Sequence, residues 1–318
     1  MSSVFAVTFP FFALVLVGYL AARRGVLSIT AIPGLNAFVL YFALPCMLFR
    51  FGAGAPLSQL LDPRPAAVYL GAGAVMVALA IWYARRGGWG WNDAAFGALV
   101  TAFPNTGFMG VPLIVALLSQ AAAGPVVQVM AIDMVITSSV CIALSRLDGA
   151  GAHGAAMALR QALRGMAVNP LPWAVLLGGL ASATGLRLPG PVDQTLALLG
   201  NAAPPVALFT IGAVLARSQM GHDTAVAWPA YLPLAIAKLV LHPALVLAGA
   251  WLAGAAGATL PPVARAAIVL VAALPSASNV AVLSERFGAH NGRIARIIMV
   301  STLLAFLSFS VAVALVTG

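Results

Sequence analysis

Ten stretches of this chain are long and apolar enough to cross a bilayer, and together they leave almost no residues for anything else. A spanning helix needs roughly 20 mainly apolar residues. The stretches fall at about 4–22, 31–51, 66–84, 93–118, 124–144, 170–186, 193–216, 229–253, 261–284 and 296–316. Only 7% of the 318 residues are charged and the mean hydropathy is +1.04, where a soluble domain is about a quarter charged. The chain reads as an all-α polytopic membrane protein. Its first stretch is followed, not preceded, by basic residues (Arg23, Arg24), the reverse of a secretory leader, and so reads as a retained helix.

The net charge of +9 does not point to nucleic acid, because the basic residues follow loops and not a face. Arg23, Arg24, Arg85, Arg86, Arg146, Arg160, Arg164, Arg217, Arg286, Arg293 and Arg296 lie at odd-numbered connections; Arg50, Arg64, Arg187 and Arg265 lie at even ones. Lysine and arginine concentrate on the cytoplasmic side of membrane proteins. The odd connections are therefore expected inside and both termini outside, in an integral, multi-pass protein of the cell (inner) membrane.

The connection from Arg146 to Asn169, with Asp148 and His153, is the longest and most polar, and it separates five stretches from five. The expected organisation is a first repeat over 1–145, a cytoplasmic connection over 146–169 and a second repeat over 170–318. Ala43–Ala53 (ALPCMLFRFGA) aligns with Ala203–Ala213 (APPVALFTIGA) at one offset with six identities. Five is odd, so the second repeat must enter from the opposite side. The predicted fold is two inverted five-helix repeats, a recurring build of secondary carriers.

Stretches 4 and 9 each contain a polar helix breaker, Pro104-Asn105-Thr106-Gly107 and Pro275-Ser276-Ala277-Ser278-Asn279. Proline lacks the amide hydrogen and clashes with the carbonyl four residues back, and glycine permits non-helical backbone. Backbone that leaves the helix at membrane depth is tolerated only beside protein or a water-filled cavity. Each break exposes amides at the start of the following half-helix, an anion-favouring end. Asn105, Thr106, Gly107, Ser276, Ser278 and Asn279 are the candidate substrate-binding residues, with Pro104 and Pro275 as helix breakers. The donor set suits a carboxylate. A pair of kinks whose polar side chains only re-satisfy their own backbone is the plainer alternative, and Thr101 reads that way.

Few ionisable groups sit at membrane depth, where they are costly and mark function. Asp133 lies mid-stretch 5; Lys238 and His242 lie one turn apart in stretch 8. Asp133 and Lys238 are candidates for ion or proton coupling, or for a static pair across the halves. Glu285 and Arg286 read as interfacial snorkelling groups, and Cys46 and Cys141 as packing residues without metal-ligand spacing. No zinc pair, nucleophile elbow or phosphate loop is present in the sequence, so no enzyme, no metal and no tight cofactor is expected, only coupling to H+ or Na+.

On Phe103-Pro-Asn-Thr-Gly-Phe-Met-Gly-Val-Pro-Leu113, Leu274-Pro-Ser-Ala-Ser-Asn279 and the Lys238-to-Pro243 stretch, the chain resembles the auxin efflux carrier family, whose bacterial members include malonate and malate permeases. The resemblance implies a scaffold of helices 1, 2, 6 and 7 and a transport unit of 3, 4, 5, 8, 9 and 10. Broken helices 4 and 9 would cross within that unit, with the substrate carboxylate at the crossing near Asn105 and near Ser276, Ser278 and Asn279. It also implies a homodimer through the scaffold. The long loop of the plant carriers is lacking, which favours a bacterial-type carrier of mono- or dicarboxylates. Two alternatives remain open: a cation-coupled antiporter using Asp133, and a membrane sensor that binds a ligand without moving it.

Overall fold

The computed structural model describes residues 2–54, 62–147, 170–220 and 226–317; most of the expected 146–169 connection, with Asp148, His153, Arg160 and Arg164, lies outside the described residues, as do the Glu285 and Arg286 side chains. Every regular element among the described residues is helical. In chain order they are α1 (Ser2–Arg23), α2 (Ile32–Phe38), α3 (Leu44–Gly54), α4 (Pro63–Arg86), α5 (Trp91–Ala102), α6 (Val111–Leu118), α7 (Ala123–Ile132), α8 (Ser138–Leu144), α9 (Pro170–Thr184), α10 (Gly190–Met220), α11 (Leu232–Ile236), α12 (His242–Ala255), α13 (Pro262–Ala272), α14 (Asn279–Arg286) and α15 (Asn291–Thr317).

Among the described residues, six helical runs are long and apolar enough to span a membrane: Ile29–Gly54, Pro63–Arg86, Gln120–Leu144, Gly190–Arg217, Leu232–Ala255 and Asn291–Val316. Shorter apolar helices, Ala13–Arg23, Thr106–Leu118, Trp173–Thr184 and Pro262–Ala272, occupy the other four stretches. Two of these short ones flank the predicted breaks. Four spans carry a wide, π-helical turn: Val39–Ala43, Thr106–Gly110, Asp133–Thr137 and Ala237–Leu241. Such turns leave the regular helical ladder and recur at functional sites; three of these four hold a candidate residue, namely Thr106 with Gly107, Asp133 and Lys238.

The chain forms two compact units, Met1–Asp62 with Thr106–Gln128 and Asn169–His222, and Pro63–Asn105 with Val129–Val168 and Asp223–Gly318. In the first, α1 packs on α10 and α3 on α9. Backbone meets backbone at glycines: a Cβ on Gly18 would run into the Phe209 carbonyl, one on Gly212 into the Val15 carbonyl, one on Gly178 into the Phe49 carbonyl, and one on Gly52 would stand 3.1 Å from the Val175 oxygen. Small residues let membrane helices approach this closely. In the second unit, α4 packs on α5 and α12, and α12 on α13, around a core that includes Phe96, Leu99, Val100 and Ile297.

Stretches 4 and 5 depart from the division the resemblance implied. They do not lie wholly in the second unit, because the chain passes to the first after Asn105 and returns after Gln128. The reason is local packing: the Thr106–Gly110 turn rests on α10 and α6 touches α1, both elements of the first unit.

Candidate functional site

Helix α5 ends at Ala102, and Phe103 takes an extended conformation (φ −97°, ψ 101°). Helix α13 ends at Ala272. The two segments then pair antiparallel, with Pro104 opposite Ser276. The Asn105 amide donates to the Pro275 carbonyl at 2.8 Å, and the Ala277 amide donates to the Phe103 carbonyl at 3.0 Å. Pro104 and Ser276 thus form a non-hydrogen-bonded pair, the register in which a proline's missing N–H leaves no gap in the ladder. The Ser276 amide, turned away from this ladder, donates to Ser301 Oγ in α15 at 3.2 Å.

The pairing satisfies the broken backbone but not the side chains. Asn105 is 3% exposed and Ser276 is fully buried, yet Asn105 Oδ1, Ser276 Oγ and Asn279 Oδ1 have no hydrogen-bond partner among the described residues. Leaving a buried polar atom unpaired costs about 1–3 kcal/mol. Three such atoms around one crossing form a set that a polar ligand would complete. The ladder sets the Asn105 backbone opposite Pro275 and Ser276 opposite Pro104, so the two polar residues lie on neighbouring rungs, whereas Asn279 opens α14 and Ser278 is half-buried. Thr106 and Gly107 begin the π-helical turn that falls in the first unit. Thr101 Oγ1 donates to its own helix at Gly97 O (2.6 Å), the self-bonding expected of it.

A second constellation lies in the same unit. Asp133 accepts from Tyr69 Oη at 2.8 Å and from Thr137 Oγ1 at 3.0 Å; the wide turn that Asp133 opens sets Ser138 Oγ on the Asp133 carbonyl. Lys238 Nζ donates to the Ala272 carbonyl at 2.7 Å and stands 3.0 Å from His242 Nδ1. With Lys238 protonated, Nδ1 accepts and the ring proton sits on Nε2, a buried atom with no partner. The rings of Tyr69 and His242 lie 5.6 Å apart. No direct Asp133–Lys238 ion pair is found among the described residues; Tyr69, on the aspartate, and His242, on the lysine, are in ring contact. Lys238 instead places its charge on the last carbonyl of α13, at the end of the helix macrodipole that favours a cation.

Tyr69 and Ser301 are absent from the sequence reading. A phenol inside an apolar stretch carries a hydroxyl that needs a partner when buried, which is the signal that would have found Tyr69. Ser301 resembles any hydroxyl in a membrane helix, and nothing local marks it.

The sequence resembles that of known proteins over most of its length. The family model described as "Membrane transport protein" matches residues 3–313. The chain belongs to this family, that of the auxin efflux carriers. It is 29% identical, over all of its length and 95% of the other's, to a Rhizobium meliloti (strain 1021) protein named "Putative malonate transporter". It is 27% identical to the uncharacterized transporter YfdV of Escherichia coli (strain K12), over 88% of this chain and 87% of that one. To auxin efflux carrier component 8 of Arabidopsis thaliana it is 24% identical, over 78% of this chain and 81% of that one. As a member of the auxin efflux carrier family the chain is a membrane transporter, not an enzyme.

Proposed function

We propose that this transporter is a secondary carrier of small organic anions, mono- or dicarboxylates such as malate or malonate, working by alternating access at the crossing of its two broken segments. The observation that carries the reading is the set of unpartnered buried atoms at that crossing, Asn105 Oδ1 and Ser276 Oγ with Asn279 Oδ1 beside them. Asn105 Nδ2 and the Ser276 hydroxyl supply neutral donors for a carboxylate. Thr106 and Gly107 follow Asn105 directly in the chain and stay candidates by sequence, and Ser278 precedes α14. The malonate relative fits this substrate class.

The ten-helix, inverted-repeat architecture belongs to the same proposal. Val15, Gly18, Phe49 and Gly52 stand 160 positions before Val175, Gly178, Phe209 and Gly212, and each close glycine contact of one set has its counterpart in the other. That offset also relates Ala43–Ala53 to Ala203–Ala213. Orientation with both termini outside rests on the excess of arginine at the odd connections, where Arg293 stacks over Trp89 at 3.6 Å and Arg85 over Trp91 at 5.0 Å. A homodimer through the scaffold of helices 1, 2, 6 and 7 belongs to the same proposal.

A second reading rests on the Asp133–Tyr69 and Lys238–His242 pairs: transport coupled to H+ or Na+ through Asp133. Counterflow of labelled malate and malonate in proteoliposomes, wild type against Asn105→Ala, tests the primary reading. Exchange lost in the variant supports it. Exchange at the wild-type rate in folded Asn105→Ala overturns the crossing as the site.

A further inference from the structure

A cavity of about 570 Å3 opens within the first unit, walled by Arg50, Arg187, Asp193, Gln120 and Gly190 among others. Arg50 stands in the C-terminal half of α3, ahead of its last turn. Its Nε donates to Asp193 Oδ1 at 3.3 Å, and its terminal nitrogens make no other hydrogen bond among the described residues. Asp193 thus holds one corner of the guanidinium and leaves the planar, two-pronged edge that pairs with carboxylates. Arg187, in the connection between α9 and α10, is exposed and has no partner among the described residues. Gly190 begins α10, so the positive end of a long helix dipole adds to the two guanidinium groups. Two arginines against one aspartate leave this wall net positive.

The placement runs against the charge bias of the chain. Only Arg50, Arg64, Arg187 and Arg265 lie at even connections, the side from which the positive-inside rule removes arginine. Arg64 is tied to the Thr259 carbonyl at 2.9 Å, yet two of the other three converge on one cavity. We infer that this cavity is an anion-collecting site on the outer face, which takes a small carboxylate of the transported class before it reaches the crossing; the inference rests on the carrier reading for its substrate class. Its work is capture: raising the local anion concentration lowers KM without touching kcat, and salt screens the effect.

Leu186, on the cavity wall and 60% exposed, is the reporter position. Leu186→Cys protein in proteoliposomes is reacted with an anionic and a cationic methanethiosulfonate of similar size, with the unsubstituted chain as the control for Cys46 and Cys141. The anionic reagent is expected to react about tenfold faster than the cationic one at low salt. That preference is expected to collapse with Arg50→Gln/Arg187→Gln, and malonate is expected to slow the anionic reaction. Equal rates for the two reagents, a preference that survives the double substitution, or no protection by malonate would each overturn the site. Counterflow separates this outcome from the carrier reading. Protein that exchanges malonate with an unchanged KM in the double variant keeps the carrier and loses the cavity; protein that exchanges no carboxylate but shows malonate protection at Leu186→Cys keeps the cavity and loses the carrier.

Discussion

The amide of Asn105 donates to the carbonyl of Pro275 over 2.8 Å, so the two breaks are joined by backbone alone. Membrane interiors offer no water to satisfy an open chain, and two interrupted helices satisfy each other here by making one short antiparallel pairing. Because the backbone holds the crossing, the Asn105 and Ser276 side chains are released from structural duty.

That release makes Asn105→Ala a clean test. The substitution keeps the 2.8 Å backbone bond and removes an oxygen that has no partner, so it is expected to leave stability unchanged to within about 1 kcal/mol. Exchange of malonate is expected to fall below detection. Thermal unfolding in detergent and counterflow in vesicles check the two halves of the expectation.

Ser301 acts through Ser276 and not on the substrate. It accepts from the Ser276 amide at 3.2 Å and donates to Ile298 O at 3.1 Å. In Ser301→Ala the Ser276 amide loses its partner inside the protein, at a cost of about 1–3 kcal/mol. The loosened crossing should raise KM for malonate several-fold while kcat changes little, and Ser301→Thr, which keeps the hydroxyl, should restore KM. A kcat loss without a KM change would place Ser301 elsewhere in the cycle.

The breaks at Pro104 and Pro275 were legible because proline acts locally, kinking or breaking a helix, and here polar residues and glycine follow it; proline alone is not enough, since α1 runs on through Pro10 and α10 through Pro204 and Pro205. The pairing of one break with the other is a contact between residues 170 to 174 positions apart, and no local propensity encodes it. Asp133 and Lys238 announced themselves through the cost of charge in an apolar stretch. Their partners did not, since Tyr69 and the Ala272 carbonyl meet them only after α4 and α13 have packed on α12. For the same reason the direct Asp133–Lys238 pair that the sequence suggests is not found among the described residues, where each charge takes other partners. The wide turns at Asp133 and Lys238 have no sequence signature at all.

Asp133→Asn keeps one oxygen to accept from Tyr69 or Thr137, which donate to different carboxylate oxygens, turns an amide NH2 toward the other hydroxyl, and removes the charge. If coupling runs through Asp133, malonate exchange at equilibrium persists while an imposed H+ or Na+ gradient no longer drives accumulation. Gradient-driven uptake at the wild-type rate in this variant would remove Asp133 from coupling. Lys238→Ala behaves differently: it strips the Ala272 carbonyl and His242 Nδ1 of their shared donor. It should therefore lower stability by about 1–3 kcal/mol, visible as an earlier thermal transition than that of Asp133→Asn.

The glycine contacts of the first unit yield a prediction about symmetry. Gly18 lies against the Phe209 carbonyl and Gly178 against the Phe49 carbonyl, two places 160 positions apart in sequence but equivalent in geometry. In each, the neighbour is backbone, which cannot rotate aside as a side chain does. A methyl group there must push two helices apart, at a cost of about 1–3 kcal/mol beyond the helix-propensity gain of alanine over glycine. Gly18→Ala and Gly178→Ala are therefore expected to destabilise the protein by similar amounts. Gly71→Ala and Gly73→Ala, in α4 where a Cβ meets nothing within 4 Å, should be neutral or stabilise by up to about 1 kcal/mol. Thermal unfolding of the four variants side by side decides the matter. Matched losses at Gly18 and Gly178 with none at Gly71 and Gly73 support two copies of one helix-packing unit; a large loss at only one of the first two would mean that the shared offset does not extend to the energetics.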